Sequence, residues 1–154
     1  MSSTARIPRL TGLGLTAGIA LALLARLGHA DAPPGHYTLT TGYVLDNKTG
    51  LTWQRVPAAP ASNAAEAASY CSALVLANLS DWRLPSMKEL QTILDDSRYD
   101  PMVDSTAFPA ISKDDMFWSS SAHPVANNMW LVQMNNGSTP GDESTAVHQV
   151  LCVR

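Results

Sequence analysis

The segment Asp81–Leu90, with the sequence DWRLPSMKEL, constrains the fold of this chain more than any other stretch. Pro85 disfavours a helical backbone at Leu84, so a helix can begin only after this point. Ser86 and Glu89 then have the spacing of a capping box, in which each side chain binds the backbone N–H of the other residue. The segment therefore predicts a loop that turns into a helix at Ser86.

The two large side chains of this segment are expected to be structural. Trp82, like Trp118 further on, is more consistent with core packing than with a sugar-stacking surface, because aromatic side chains dominate small cores. Arg83 stands between two apolar residues, so we expect it to be partly buried and paired with Asp81 or with the acidic loop 95–104. The residues assigned to this structural motif are Asp81, Trp82, Arg83, Pro85, Ser86, Glu89 and Trp118.

Residues 1–32 have the organisation of an export signal. Arg6 and Arg9 precede a sixteen-residue apolar run, and Ala30-Asp31-Ala32 offers a small-residue cleavage site. The run is shorter than the roughly twenty residues of a membrane span, with an uncleaved N-terminal anchor as the alternative. We therefore predict cleavage after Ala32, a secreted or periplasmic location and no membrane insertion afterwards.

The predicted mature chain, residues 33–154, is small and acidic. Its 122 residues suit one domain with a core of its own. Seven Lys and Arg stand against twelve Asp and Glu, so the net charge is near −5. This balance argues against nucleic acid or an anionic polysaccharide as a general electrostatic partner.

Both cysteines, Cys71 and Cys152, fall in the part predicted to be exported. Two thiols in an oxidising compartment favour a disulfide over a metal site or a catalytic pair, with two separate buried thiols as the alternative. The bond would close a loop of about 80 residues, for which the chain-entropy model gives roughly 4–5 kcal/mol. It would join the C-terminus to the first helix.

The N-terminal half of the mature chain predicts a hairpin followed by a helix. Residues 33–41 form a linker and the start of a strand, and residues 37–56 form a hairpin whose turn lies at 46–50. A helix is expected from Ser62 or Asn63 to about Asn78. Its predicted inward residues are Ala67, Tyr70, Cys71, Leu74 and Asn78.

Three short strands are expected in the second half, at about 117–121, 129–134 and 147–153. Helices in the middle and strands at both ends imply an α+β fold in which the terminal strands pair in one sheet.

Several motifs agree in order with a known family. They are Thr49-Gly50-Leu51-Thr52-Trp53-Gln54, Tyr70-Cys71, Asp81-Trp82-Arg83-Leu84-Pro85, Glu89-Leu90, Phe108-Pro109, Phe117-Trp118-Ser119-Ser120 and Cys152-Val153-Arg154. Together they resemble the Lcl C-terminal domain family, named for the C-terminal domain of a bacterial collagen-like adhesin, over residues 42–154. More distantly, the motif at 83–89 is similar to an element of the formylglycine-generating-enzyme group. The resemblance implies a C-type-lectin-like fold, with two helices flanking small antiparallel sheets and paired termini.

The family resemblance also implies adhesion, with binding to sulfated polysaccharides through a basic surface and a trimeric assembly. This chain has no collagen-like repeat, and its predicted mature charge is negative. Both features argue against a sulfated glycan here, and the oligomeric state stays open.

The residues predicted to meet a ligand lie in the loops after Trp118. Trp130 stands among asparagines and near a Gly turn, so stacking on a sugar and packing in the core are both open to it. The ligand-binding candidates are His123, Asn127, Asn128, Trp130, Asn135 and Asn136.

No cofactor and no metal site are predicted. The acidic run 95–104 could supply oxygen ligands to calcium, but it lacks EF-hand spacing and contains Arg98, which favours a solvated loop. The scattered histidines have no metal-ligand spacing. The serines at 119–121 have no nucleophile-elbow context, and chemistry of the formylglycine type needs cysteines that a disulfide would occupy.

Three functions are therefore carried forward as hypotheses. The first is a secreted, non-catalytic recognition domain, adhesin-like or carbohydrate-binding, whose partner is a glycan or a surface protein. The second is a periplasmic protein-interaction or structural module. The third, and least supported, is an enzyme of the formylglycine-generating type.

Overall fold

Two helices and six short strands, arranged as an α+β fold, make up the part of the chain that the computed structural model describes, residues 35–59 and 62–154. The predicted signal peptide 1–32 and the first residues of the predicted linker 33–41 lie outside the described residues. In chain order the elements are β1 (Tyr37–Leu39), β2 (Tyr43–Asp46), β3 (Thr52–Gln54), α1 (Ala64–Ala73), α2 (Met87–Thr92), β4 (Met116–Ala122), β5 (Asn128–Gln133) and β6 (Gly141–Glu143).

The first sheet is antiparallel, with the strand order β1-β2-β3. Its β2–β3 turn is the one predicted: the Asp46 carboxylate accepts hydrogen bonds from the Lys48 N–H (2.8 Å) and the Thr49 hydroxyl (2.7 Å), and Gly50 takes a positive φ of 77°. The first arm of the hairpin predicted over residues 37–56 is divided into β1 and β2. A turn interrupts it, because the Thr40 backbone N–H and hydroxyl both donate to the Tyr43 carbonyl.

Helix α1 starts where predicted but ends early. Asn63 and Glu66 form both halves of a capping box at its start. The predicted end at Asn78 is wrong, because the backbone of Leu74 is extended and ends the helix at Ala73. Ala77 and Asn78 then take positive φ angles of 53° and 60°, which a right-handed helix cannot contain. Asn78 is consequently exposed instead of facing inward, whereas Cys71 is fully buried.

The predicted helix start at residue 86 is confirmed. Ser86 is the N-cap of α2, and the reciprocal bonds with Glu89 are both present. Leu90 and Ile93 are buried and anchor the helix to the core.

The second sheet is antiparallel, with the order β4-β5-β6. Its third strand is β6 (Gly141–Glu143), so the prediction of a strand at 147–153 is wrong. That segment instead makes isolated bridges, pairing His148 with Ser62, Gln149 with Phe117, and Val153 with both Trp53 and Arg83.

The C-terminal segment passes between two clusters of buried side chains. Leu151 and Val153 belong to the cluster around Trp53 and Phe117. Val150 and Cys152 belong to the cluster around Trp82 and Trp118. Because successive residues of an extended chain point to opposite sides, this segment is buried on both faces and joins the two clusters.

Two links attach the C-terminus to the rest of the fold. The predicted disulfide between Cys71 and Cys152 is present, so α1 is bonded to the C-terminal segment. The last residues also pair with β3 of the N-terminal hairpin: the Gln54 N–H donates to the Cys152 carbonyl at 2.9 Å, and the Thr52 N–H donates to the Arg154 carbonyl at 3.0 Å. Within the described residues, no helix has the length and apolar character needed to cross a membrane.

Candidate functional site

Of the four tryptophans, Trp130 alone keeps part of its surface open. Trp53, Trp82 and Trp118 are between 0% and 2% exposed. The indole N–H groups of Trp82 and Trp118 donate to the carbonyls of Leu79 and Ser62, at 3.0 and 2.7 Å. Trp130 is half-buried, and its N–H makes no hydrogen bond to any residue that the structure describes. An aromatic ring with a free N–H at the surface is suited to contact a ligand.

The register of β5 and β6 places Trp130 in a defined set of neighbours. Asn128 is opposite Glu143, and Trp130 is opposite Gly141. Because side chains alternate along a strand and cross-strand partners share a side, Asn128, Trp130, Gly141 and Glu143 occupy one face, which we call the β5–β6 face. Asp142 lies on the opposite face.

His123 supports Trp130 on this face. The two ring centroids are 4.2 Å apart, with an interplanar angle of 63°. The His123 ring lies above Gly141, since a Cβ at that glycine would be 2.4 Å from His123 Cδ2. The Val125 N–H donates to Nδ1 of His123 at 3.1 Å, so the proton of the neutral ring resides on Nε2. The ring is thereby held in one orientation against the indole.

An open cleft of about 370 Å³ adjoins the β5–β6 face. Its lining residues are Ala126, Asn127, Asn128, Glu143, Ser144 and Thr145. The Ser144 N–H donates to the Asn127 carbonyl at 2.8 Å and holds the two walls together. The side chains of Asn127, Asn128 and Thr145 make no hydrogen bond to the described residues, so their donors and acceptors remain free for a ligand.

The cleft is acidic and lacks basic side chains. No Lys or Arg occurs between Lys113 and Arg154. On the back of β6, Asp142 receives a 2.8 Å hydrogen bond from His148, which lowers the pKa of that carboxyl. Glu143, on the cleft side, is exposed and forms no ion pair within the described part of the chain.

The asparagines at 135 and 136 lie elsewhere. They follow the far end of β5, about 23 Å along the chain from Asn128 at the rise of an extended strand. Asn136 accepts a hydrogen bond from the Ser138 N–H at 2.9 Å and belongs to the β5–β6 turn. Asn135 Oδ1 is buried without a hydrogen-bond partner among the described residues. The structure therefore brings His123, Asn127, Asn128 and Trp130 together but leaves this pair apart.

Gly141, Glu143, Ser144 and Thr145 were not among the predicted site residues. Their sequence, part of Gly-Asp-Glu-Ser-Thr, has no apolar alternation that would predict a strand. They become site residues only because β6 pairs with the open edge of β5.

Most charged side chains of the segment Asp81–Leu90 are paired with other residues of the protein. Arg83 forms a two-pronged ion pair with Glu89 at 2.8 and 2.6 Å. The expected pairing with Asp81 or with the loop 95–104 is wrong, because Asp81 binds Arg154 at 3.0 Å and the loop aspartates bind Arg98. The expected partial burial is wrong as well, because Arg83 is exposed. Hydrogen bonding from Arg83, helped by the Ser86 N–H and hydroxyl and opposed by partial burial, lowers the pKa of Glu89 to about 2. Asp81, Arg83 and Glu89 are thus paired, whereas Lys88 of the same segment is exposed and forms no ion pair with the described residues.

The acidic loop is likewise internally paired. Arg98 contacts Asp95 at 3.2 Å and Asp104 at 3.4 Å, so it bridges two parts of the loop. Among the residues that the structure describes, no three His, Cys, Asp or Glu side chains are grouped as a metal ion would require. Both cysteines are in the disulfide, so neither thiol is available as a nucleophile.

Comparison with models of known protein families matches residues 42–154 to the Lcl C-terminal domain. This match points to an adhesin-related C-terminal domain. No curated protein matches the chain.

Proposed function

Because the chain belongs to the Lcl C-terminal domain family, we propose that it is a secreted, non-catalytic recognition domain that binds a carbohydrate at the β5–β6 face. We also assign it to the C-type-lectin-like folds. Two helices beside small antiparallel sheets, with the C-terminus paired to β3, support that assignment.

The half-buried Trp130 is the main observation that supports carbohydrate binding at this face. The apolar face of a sugar ring stacks on an aromatic ring, and contact is stronger when the aromatic side chain is immobile before binding. His123 packs against the indole at 4.2 Å and is itself held by the Val125 N–H. Trp130 is thus a rigid platform whose orientation does not have to be set by the ligand.

The cleft beside Trp130 supplies the polar contacts that a sugar needs. The amides of Asn127 and Asn128 each offer two donors and an acceptor, and the hydroxyls of Ser144 and Thr145 can donate or accept. These groups lie within a few residues of the platform along β5 and β6. Small-ligand sites combine hydrophobic or aromatic surface with a small number of polar groups that fix the orientation of the ligand.

A glycan array probed with the protein after export tests the proposal. We expect the wild type to retain a defined set of glycans, and Trp130→Ala to lose them. Tyr99→Ala is the matched control, because Tyr99 is an aromatic residue that is 79% exposed and lies outside the cleft. Circular dichroism should show that both variants are folded. Absence of binding to every glycan, or equal binding by Trp130→Ala, would contradict the proposal.

A protein partner is the second candidate, favoured by two exposed valines. Val125 is 57% exposed and Val147 is 63% exposed, and each lies within two residues of a wall of the cleft. If a periplasmic or surface protein binds here, a Val125→Ser, Val147→Ser double variant should lose the partner in co-purification. Glycans should then fail to compete with that partner.

Export is part of the proposal and is separately testable. Mass spectrometry of the protein recovered outside the cytoplasm should give a chain beginning at residue 33. A chain that retains residue 1 and sediments with membranes would favour the uncleaved anchor.

A further inference from the structure

We infer that the β5–β6 face selects a sugar that carries a free, protonated amine over the same sugar with its amine acetylated or sulfated. This inference rests on the proposed carbohydrate function and adds the chemical class of the ligand. It is carried by the position of one carboxylate, Glu143, relative to the Trp130 platform.

Glu143 and Trp130 are diagonal neighbours on one face. Trp130 is opposite Gly141 and Glu143 is opposite Asn128, with the pair Met129–Asp142 between them. The side chains of Trp130 and Glu143 therefore lie on the same side of the ladder. Diagonal neighbours of an antiparallel pair are about 7–8 Å apart, within reach of long side chains. One sugar ring stacked on Trp130 can therefore present a ring substituent to the Glu143 carboxylate.

The Glu143 carboxylate is available for that substituent. It is exposed and makes no ion pair with the described residues, whereas its neighbour Asp142 is held by His148 at 2.8 Å on the other face. Lining the same cleft are amides and hydroxyls, which carry no charge. Glu143 is thus the group that can distinguish a charged ligand from a neutral one.

The surroundings favour a cation and oppose an anion. None of the residues that line the cleft is a Lys or Arg that could neutralise a sulfate or carboxylate on a ligand. A protonated amine near the face of a tryptophan is attracted by the ring quadrupole, and tryptophan is the best side chain for this contact. A carboxylate and an indole on one face together provide both attractions.

Titration calorimetry of the exported protein tests the inference with three tetrasaccharides of equal length. The probes are a glucosamine tetrasaccharide, the N-acetylglucosamine tetrasaccharide and an N-sulfated glucosamine tetrasaccharide, measured at a pH where the free amine is protonated. We expect the free amine to bind at least tenfold more tightly than the acetylated form, and the sulfated form to bind more weakly than either. Glu143→Gln should remove most of the preference for the amine, so that the ratio of the amine and acetylated affinities falls toward one.

Asp114→Asn is the matched control, because it removes one negative charge from an exposed side chain outside the cleft. It should preserve the preference. Equal binding of the amine and acetylated forms, both lost in Trp130→Ala, would overturn the inference while leaving the carbohydrate function standing. A preference that Glu143→Gln retains, or that Asp114→Asn lowers as much, would also overturn it, since net charge would then be the cause. Failure of all three sugars to bind, together with an empty glycan array, would remove both proposals.

Discussion

The imidazole ring of His123 occupies the space that a side chain at Gly141 would need. An ideal Cβ at this glycine would lie 2.4 Å from Cδ2 and 2.7 Å from Nε2 of the ring. Gly141 pairs with Trp130 across the sheet, so the absent side chain is what lets His123 pack against the indole. Gly141 in β6 therefore leaves the space in which His123, the residue after β4, packs against Trp130 on β5.

Gly141→Ala should displace His123 and disorder the platform. The new methyl group overlaps a ring, and overpacking of this kind costs about 1–3 kcal/mol. We expect glycan binding to weaken at least tenfold, and cross-peaks between the His123 and Trp130 rings to be lost in NMR spectra. Gly42→Ala is the control, because its Cβ would meet only the flexible end of Leu76, at 3.2 Å. Ring contacts that persist in Gly141→Ala would show that the glycine does not set the platform.

Single alanine substitutions of Trp118 and Trp130 should distinguish a loss of stability from a loss of glycan binding. Trp118 is fully buried and its N–H satisfies the Ser62 carbonyl, so Trp118→Ala should cost about 3–5 kcal/mol. Trp130 is half-buried, so Trp130→Ala should cost less than half as much while abolishing binding. Urea denaturation followed by circular dichroism measures both. Equal losses of stability would mean that Trp130 is a core residue.

Glu89 should make stability depend on pH in the acid range. Its pKa is about 2 in the folded protein, below the ordinary value of about 4.3 for glutamate. Its contribution is therefore fully present above the ordinary value and is lost as pH falls toward 2. Glu89→Gln should lower the free energy of unfolding at pH 7 by about 1 kcal/mol and reduce the pH dependence in that window.

Glu66→Gln is the matched control for Glu89. Glu66 occupies the same capping position in α1 but has no arginine partner among the described residues. Chemical denaturation of both variants between pH 2 and pH 7 measures the difference, and we expect the larger loss at pH 7 for Glu89→Gln. Identical losses would show that the ion pair with Arg83 adds nothing beyond the cap.

Loss of the Cys71–Cys152 bond should strongly destabilise the fold. The two cysteines are 81 residues apart, and the chain-entropy model gives about 4–5 kcal/mol for a loop of that length. Thermal unfolding should shift to lower temperature when a reductant is added, and a Cys71→Ala, Cys152→Ala double variant should unfold at a similarly low temperature without it. A double variant that still responds to reductant would point to another effect of the reagent.

Features that depend on neighbouring residues were predictable from the sequence. The turn at 46–50 follows from an aspartate, a threonine and a glycine that are close in the chain. Both capping boxes follow from residues three positions apart, and they start α1 and α2 where expected. The disulfide was predicted from the expected export and the count of cysteines. For the candidate site, the sequence indicated the loops after Trp118 and four of the residues that come together there.

The remaining features depend on contacts between distant parts of the chain. Arg83 pairs with Glu89, and Asp81 pairs with Arg154 at the C-terminus. No local sequence pattern shows this division of partners. The C-terminal segment 147–153 has the composition of a strand, but it forms only single bridges, and its residues 150–153 are buried on both sides between two clusters. Its place in the second sheet is taken by β6, a strand without strand-forming residues.

Local hydrogen bonding thus determined the turn and the helix starts, and the redox chemistry of the two cysteines accounts for the disulfide. The sequence motifs identified the family of this protein. The tertiary structure alone decided which of the asparagines stand beside Trp130 and that Gly141 and Glu143 join them. The reason is register: β6 is held at the edge of β5 by backbone hydrogen bonds, which do not depend on side-chain type. A site assembled from cross-strand neighbours is therefore visible only once the strands have been paired.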